Sequence, residues 1–217
     1  MQSKVFVKNY SAPPLDEKEV LRYAGHRGEL SAQMQTALNE CVKESENAFS
    51  YRVCYLTVDA ADLEEKWGKC GALFRNRMQG ARYAILFAAT VGLGIDRLIL
   101  QKESVSPTQA LFMQALGAER IESLCDCFCE EIKTESEKRG YYTGARFSAG
   151  YGDFPLEMQR EIFDLLRPEK NIGLTLNDSL LMSPSKSVTA IIPIGKKECE
   201  KTSGCAACAK KDCQYKR

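Results

Sequence analysis

Nine consecutive residues, Tyr83-Ala84-Ile85-Leu86-Phe87-Ala88-Ala89-Thr90-Val91, carry almost no polarity. The run is far shorter than the ~20 apolar residues that cross a bilayer. It reads as a strand buried on both faces, which puts it inside a sheet flanked by helices. Gly92 and Gly94 then break it. Around this strand the chain alternates irregularly between other patterns. Ser3 to Tyr10 alternates polar and apolar residues like a short strand, ended by Pro13-Pro14. Asp16 precedes a short helical stretch closed by Gly25. Residues 31–47 repeat apolar positions at three-and-four spacing through Met34, Ala37, Leu38, Cys41 and Val42, an amphipathic helix. Tyr51 to Val58 is rich in strand formers.

The second half is read in the same way. Ser106-Pro107 starts a helix with a capping hydroxyl and a first-turn proline. Gly117 is expected to end it, with a second helix from about 118 to 138 bearing Ile121, Leu124, Cys125, Phe128, Cys129 and Ile132 on one stripe. Asp153 and Pro155 begin another helix. Ile172 to Met182 and Ser187 to Ile194 are expected to form an antiparallel hairpin across Pro184-Ser185. No βαβ unit repeats, so the fold class is α+β, a single domain with a mainly antiparallel twisted sheet flanked by helices. Residues 1–195 read as that domain, and residues 196–217 as a cysteine- and lysine-rich tail.

Charge narrows the function. Thirty basic residues stand against 29 acidic ones, a net charge of +1, so general nucleic-acid binding lacks electrostatic support. The first eight residues have no apolar stretch suited to a signal peptide, and no run suits a membrane span. The expectation is a soluble, cytoplasmic protein with no membrane partner. The one histidine, His26, lies in a glycine-flanked turn without the pattern of a zinc site or a serine triad. No G-x-G-x-x-G follows a strand, so a Rossmann site is unsupported.

The ten cysteines fall into groups. Cys125 and Cys129 share the buried side of a helix while Cys127 points the other way, so Cys-x-Cys-x-Cys is not read as a metal cluster. Cys199, Cys205, Cys208 and Cys213 do have ligand-like spacing and could hold zinc or an iron–sulfur cluster. Free thiols on a flexible basic tail are the alternative. Lys196, Lys197, Lys210, Lys211, Lys216 and Arg217 could instead dock an acidic partner.

The segment Arg146-Phe147-Ser148-Ala149-Gly150-Tyr151 carries the most chemistry. Arginine offers a planar fork for a carboxylate, glycine admits close backbone approach, and tyrosine supplies a flat face with a hydroxyl. That set suits an amino-acid-like ligand with an aromatic ring. On these residues alone, a surface arginine beside an ordinary turn remains open.

Arg-x-x-x-Gly-Tyr resembles the S-adenosylmethionine motif of the activation domain of vitamin B12-dependent methionine synthase. Four further stretches are similar in the same order: Phe87 to Leu93, Leu124 to Glu130, Gly173 to Ser179, and Met182 with Pro184 and Ser187-Val188. The likeness spans roughly residues 80–195, and the first 80 match poorly. It implies binding of S-adenosylmethionine and reductive methylation of a partner's cobalamin, whose oxidised cob(II) form needs one electron and a methyl group. Carried over, Arg146 binds the ligand carboxylate, Ser148 supplies backbone contacts, and Gly150 and Tyr151 follow as in the motif. Asp126 matches an acidic position near the sulfonium, although a solvated helix carboxylate is the plain alternative.

The resemblance also implies a separately made accessory component of the methyltransferase system, acting in trans on a cobalamin-binding methionine synthase or related corrinoid protein. Its electron donor would be of the flavodoxin or ferredoxin kind. After Tyr151 the chain reads Gly152-Asp153-Phe154-Pro155, without the family's histidine, so corrinoid contacts must differ. Two alternatives stand: a reactivator of another corrinoid methyltransferase, and a metal-binding interaction module built on the tail cysteines.

Overall fold

The computed structural model describes residues 4–26 and 28–196. Its elements are β1 (Phe6–Tyr10), α1 (Glu17–Tyr23), α2 (Ala32–Ser45), β2 (Tyr51–Asp59), α3 (Ala60–Trp67), α4 (Ala72–Met78), β3 (Ala81–Thr90), α5 (Gly94–Glu103) and α6 (Pro107–Glu137). They continue with β4 (Tyr142–Thr143), α7 (Met158–Leu166), α8 (Pro168–Ile172), β5 (Thr175–Leu176), β6 (Met182–Ser183) and β7 (Ser187–Gly195).

The main sheet has the strand order β1-β2-β3-β7-β4, and every pairing is antiparallel. The apolar run lies at its centre as β3, between β2 and β7. Alternation splits β3 between two hydrophobic layers. Ile85, Phe87 and Ala89 face a layer supplied by α1, α2, α5 and α6. Ala84, Leu86 and Ala88 face the opposite layer, supplied by α3, α4, α7 and α8. Both faces of the sheet are therefore covered, and the fold is the expected α+β arrangement.

Three local expectations are corrected. Gly117 does not end a helix, because α6 runs through it for 31 residues. A Cβ at Gly117 would lie 2.9 Å from Lys186 Cγ, so the missing side chain gives Lys186 its path across the helix. The hairpin between residues 172–182 and 187–194 does not form. Thr175–Leu176 pairs with Met182–Ser183 in a separate two-stranded sheet, while β7 pairs with β3 and β4. Asp153 and Pro155 do not begin a helix: α7 starts at Met158, and Asp153 instead accepts from the first amides of α4, which with α3 is formed by residues 60–78.

Several helix starts follow their sequence signals. Asp16, Ser31 and Ser106 each accept backbone amide hydrogens at the N-termini of α1, α2 and α6. The long α6 spans the sheet face, and it carries the acidic residues of the site described next.

Candidate ligand-binding site

After α6 the chain turns back along the open edge of β7. Tyr142 and Thr143 pair with Gly195 and Ile194. Gly144 N donates to Pro193 O at 2.8 Å, and Phe147 exchanges backbone bonds with Ile191. Neighbouring side chains on such an edge point to opposite faces. Phe147 enters the layer of α4 and α7, where its ring meets Phe74 and Phe154 edge-on at 6.2 and 5.8 Å. Arg146 turns the other way, onto α6.

There the guanidinium meets two carboxylates one helical turn apart. Nη2 donates to Glu122 Oε2 at 2.7 Å and lies 3.0 Å from Asp126 Oδ1. Nη1 is buried and has no hydrogen-bond partner among the described residues. Burial opposes the charge of Arg146, but the adjacent acids outweigh it and hold the group more firmly protonated than an ordinary arginine. The same burial pushes the Cys129 thiol up to about 11 and that of Cys125 higher still, so both stay neutral beside it.

Ser148 to Phe154 form a compact turn. Gly150 N donates to Phe154 O at 2.8 Å, Tyr151 N to Ser148 O at 3.3 Å and Phe154 N to Tyr151 O at 3.0 Å. Gly150 has φ 87°, a conformation that side-chain-bearing residues rarely adopt. The turn thus spends these amides on itself. The same bonds engage the carbonyl oxygens of Ser148, Tyr151 and Phe154, and the Tyr151 ring is 64% exposed at the surface of the turn. Asp153 closes the turn against α4, accepting from Ala72 N at 2.6 Å and Leu73 N at 2.9 Å. These two amides hold its carboxyl below the ordinary value of 3.8.

The structure therefore brings Arg146 and Asp126 into direct contact and sets Ser148, Gly150 and Tyr151 in the adjoining turn. Glu122 was missed by sequence reasoning. Its signal was the spacing of four residues to Asp126, which places both on one helix face.

A model of the vitamin B12-dependent methionine synthase activation domain matches residues 44–201, more than half of the chain. The chain belongs to this family. It also shares its fold with a crystal structure of the MetH reactivation domain bound to AdoHcy, at 17% identity and a TM-score of 0.61. That match covers 93% of this chain and 80% of the other. No curated protein sequence matches it.

Other features of this activation domain fall into place around the site. Cys125 is buried, Cys129 half-buried and Cys127 exposed, as expected from one helix stripe. Among the described residues, no group of three or more histidine, cysteine, aspartate or glutamate side chains is placed to hold a metal. Cys199, Cys205, Cys208 and Cys213 lie outside the described residues, as do the tail lysines beyond Lys196. His26 Nε2 lies 3.2 Å from Glu29 O in its turn. No helix among the described residues is long and apolar enough to cross a membrane.

Proposed function

We propose that this activation domain binds S-adenosylmethionine at Arg146 and the Ser148–Tyr151 turn and presents its methyl group for reductive methylation of the cobalamin of a partner methionine synthase. The observation that carries the reading is the Arg146 fork, in which the two acids take only Nη2 while Nη1, on a group that packs beside the Cys129 thiol, has no hydrogen-bond partner among the described residues. A carboxylate at that atom would satisfy it. The neighbouring charges favour the same ligand. Glu122 is matched by the Arg146 guanidinium, whereas Asp126, 70% exposed, adds a negative charge at the surface, and S-adenosylmethionine carries an ammonium and a sulfonium against one carboxylate.

The ligand supplies an activated methyl on sulfur; the chain's residues orient it. Arg146 holds the carboxylate end, Asp126 lies where a cationic centre is favoured, and the turn offers the flat face of Tyr151. Positioning is the contribution expected of a component that caps a partner's cofactor. The likeness to a reactivation domain bound to AdoHcy supports the same ligand class.

Calorimetric titration with S-adenosylmethionine tests the reading, with affinity expected in the micromolar range. Arg146→Ala removes a charge-assisted contact worth about 1.5–3 kcal/mol, a loss of roughly 10- to 150-fold. Arg146→Lys keeps the charge but not the fork and falls between. A wild-type protein that gives no binding signal overturns the assignment. Reconstitution with a methionine synthase lacking its own activation domain tests the partner: recovery of activity supports it.

A further inference from the structure

Glu122 and Asp126 hold the same nitrogen of Arg146, but they are not equivalent. The Glu122 side chain is 33% exposed and makes the shorter contact, 2.7 Å, whereas Asp126 is 70% exposed at 3.0 Å. An exposed ion pair is screened by water and holds its partner weakly. The half-buried Glu122 is therefore the stronger restraint on the guanidinium. It engages Nη2 and leaves Nη1, which is closed off from solvent, without a hydrogen-bond partner among the described residues. The packing around the fork adds to this. Gly144 and Phe147 fix the backbone on either side of Arg146 by ladder bonds to Pro193 and Ile191. The backbone is thus set by β7 and the head group by α6, and only the head-group restraint can be removed without touching the sheet.

Resting on the reading of Arg146 as the carboxylate-binding group, we propose that Glu122 is a positioning residue for ligand recognition. It orients the guanidinium before the ligand arrives, so that a ligand carboxylate meets a preset donor rather than a mobile side chain. Its action runs through Arg146 and requires no contact between Glu122 and the ligand.

The test uses the full chain in calorimetric titrations with S-adenosylmethionine and with its decarboxylated form, which lacks the group that Arg146 receives. Four proteins are compared: wild type, Glu122→Ala, Arg146→Ala and the double variant. Glu122→Ala is expected to weaken S-adenosylmethionine by about tenfold. The decarboxylated form should change by less than about twofold, the ordinary scatter for groups that do not couple. The double variant should bind no more weakly than Arg146→Ala alone. Glu122→Gln keeps an accepting oxygen and a similar volume, so it should recover most of the affinity.

Equal weakening of both ligands by Glu122→Ala overturns the proposal, because it would mean general attraction of cations or loss of structure. Independent, multiplying effects in the double variant overturn it too. If Arg146→Ala weakens binding and Glu122→Ala does not, the positioning role falls while the carboxylate role of Arg146 stands. If Arg146→Ala is silent, both fall.

Discussion

Replacing Gly150 by alanine should loosen the binding turn by an amount that the backbone sets. At φ 87°, a residue with a Cβ sits in the left-handed region, at a cost of roughly 1–2 kcal/mol. The added Cβ would lie 3.0 Å from Leu156 Cδ1. That atom ends a side chain that is 41% exposed, so it can rotate away and adds little. For a domain of 150–250 residues, 1 kcal/mol corresponds to about 2–4 °C in Tm, so Gly150→Ala is expected to melt about 2–8 °C lower. Thermal unfolding followed by far-UV circular dichroism reads the shift. Gly150→Asn should lose less, because asparagine tolerates this conformation better. The same loss should persist in a Leu156→Ala background. A melting temperature unchanged by Gly150→Ala, or a loss abolished by removing Leu156, would refute backbone strain as its cause.

Two other outcomes are expected. In the interior of α6, Gly117→Ala gains about 1 kcal/mol of helix propensity but collides with Lys186, whose Nζ donates to Gln114 Oε1 at 2.6 Å. The substitution should leave wild-type Tm almost unchanged yet raise that of a Lys186→Ala variant by about 2–4 °C, as paired melts would show. Asp153 links the binding turn to α4 more strongly when ionised, and its folded pKa is depressed. Its contribution is fully present above the unfolded value near 3.8 and is lost as pH falls through the lower folded value. The Tm gap between wild type and Asp153→Asn should hold steady above about pH 5 and close as pH drops below about 4.

The legible parts of this fold were those written in local pattern. The apolar run at 83–91 announced a central strand because both of its faces are buried. The helix at 32–45 and the strand at 51–59 were likewise visible in their spacing. What escaped depended on distant neighbours. A glycine costs a helix only about 1 kcal/mol, and α6 carries apolar packing along its length that outweighs it, so Gly117 was misread as a stop. The strand character of Ser187 to Ile194 was plain, but its partner was not the preceding segment. It was β3, roughly a hundred residues earlier, and propensity says nothing about partners. The site divides in the same way. Arg146, Gly150 and Tyr151 stood together in the chain, whereas Glu122 joins them only because the edge segment folds back over α6.

The opposite facing of Arg146 and Phe147 has a consequence for which changes of length the chain can tolerate. One residue inserted between Thr143 and Arg146 would slide the edge by a single position if its pairing with β7 were kept. The guanidinium would then enter the aromatic layer of Phe74 and Phe154, and the phenyl ring would face Glu122 and Asp126. Two inserted residues would restore the facing but move the donor some 7 Å along the strand. The spacing between the edge pairing and the arginine is therefore a ruler.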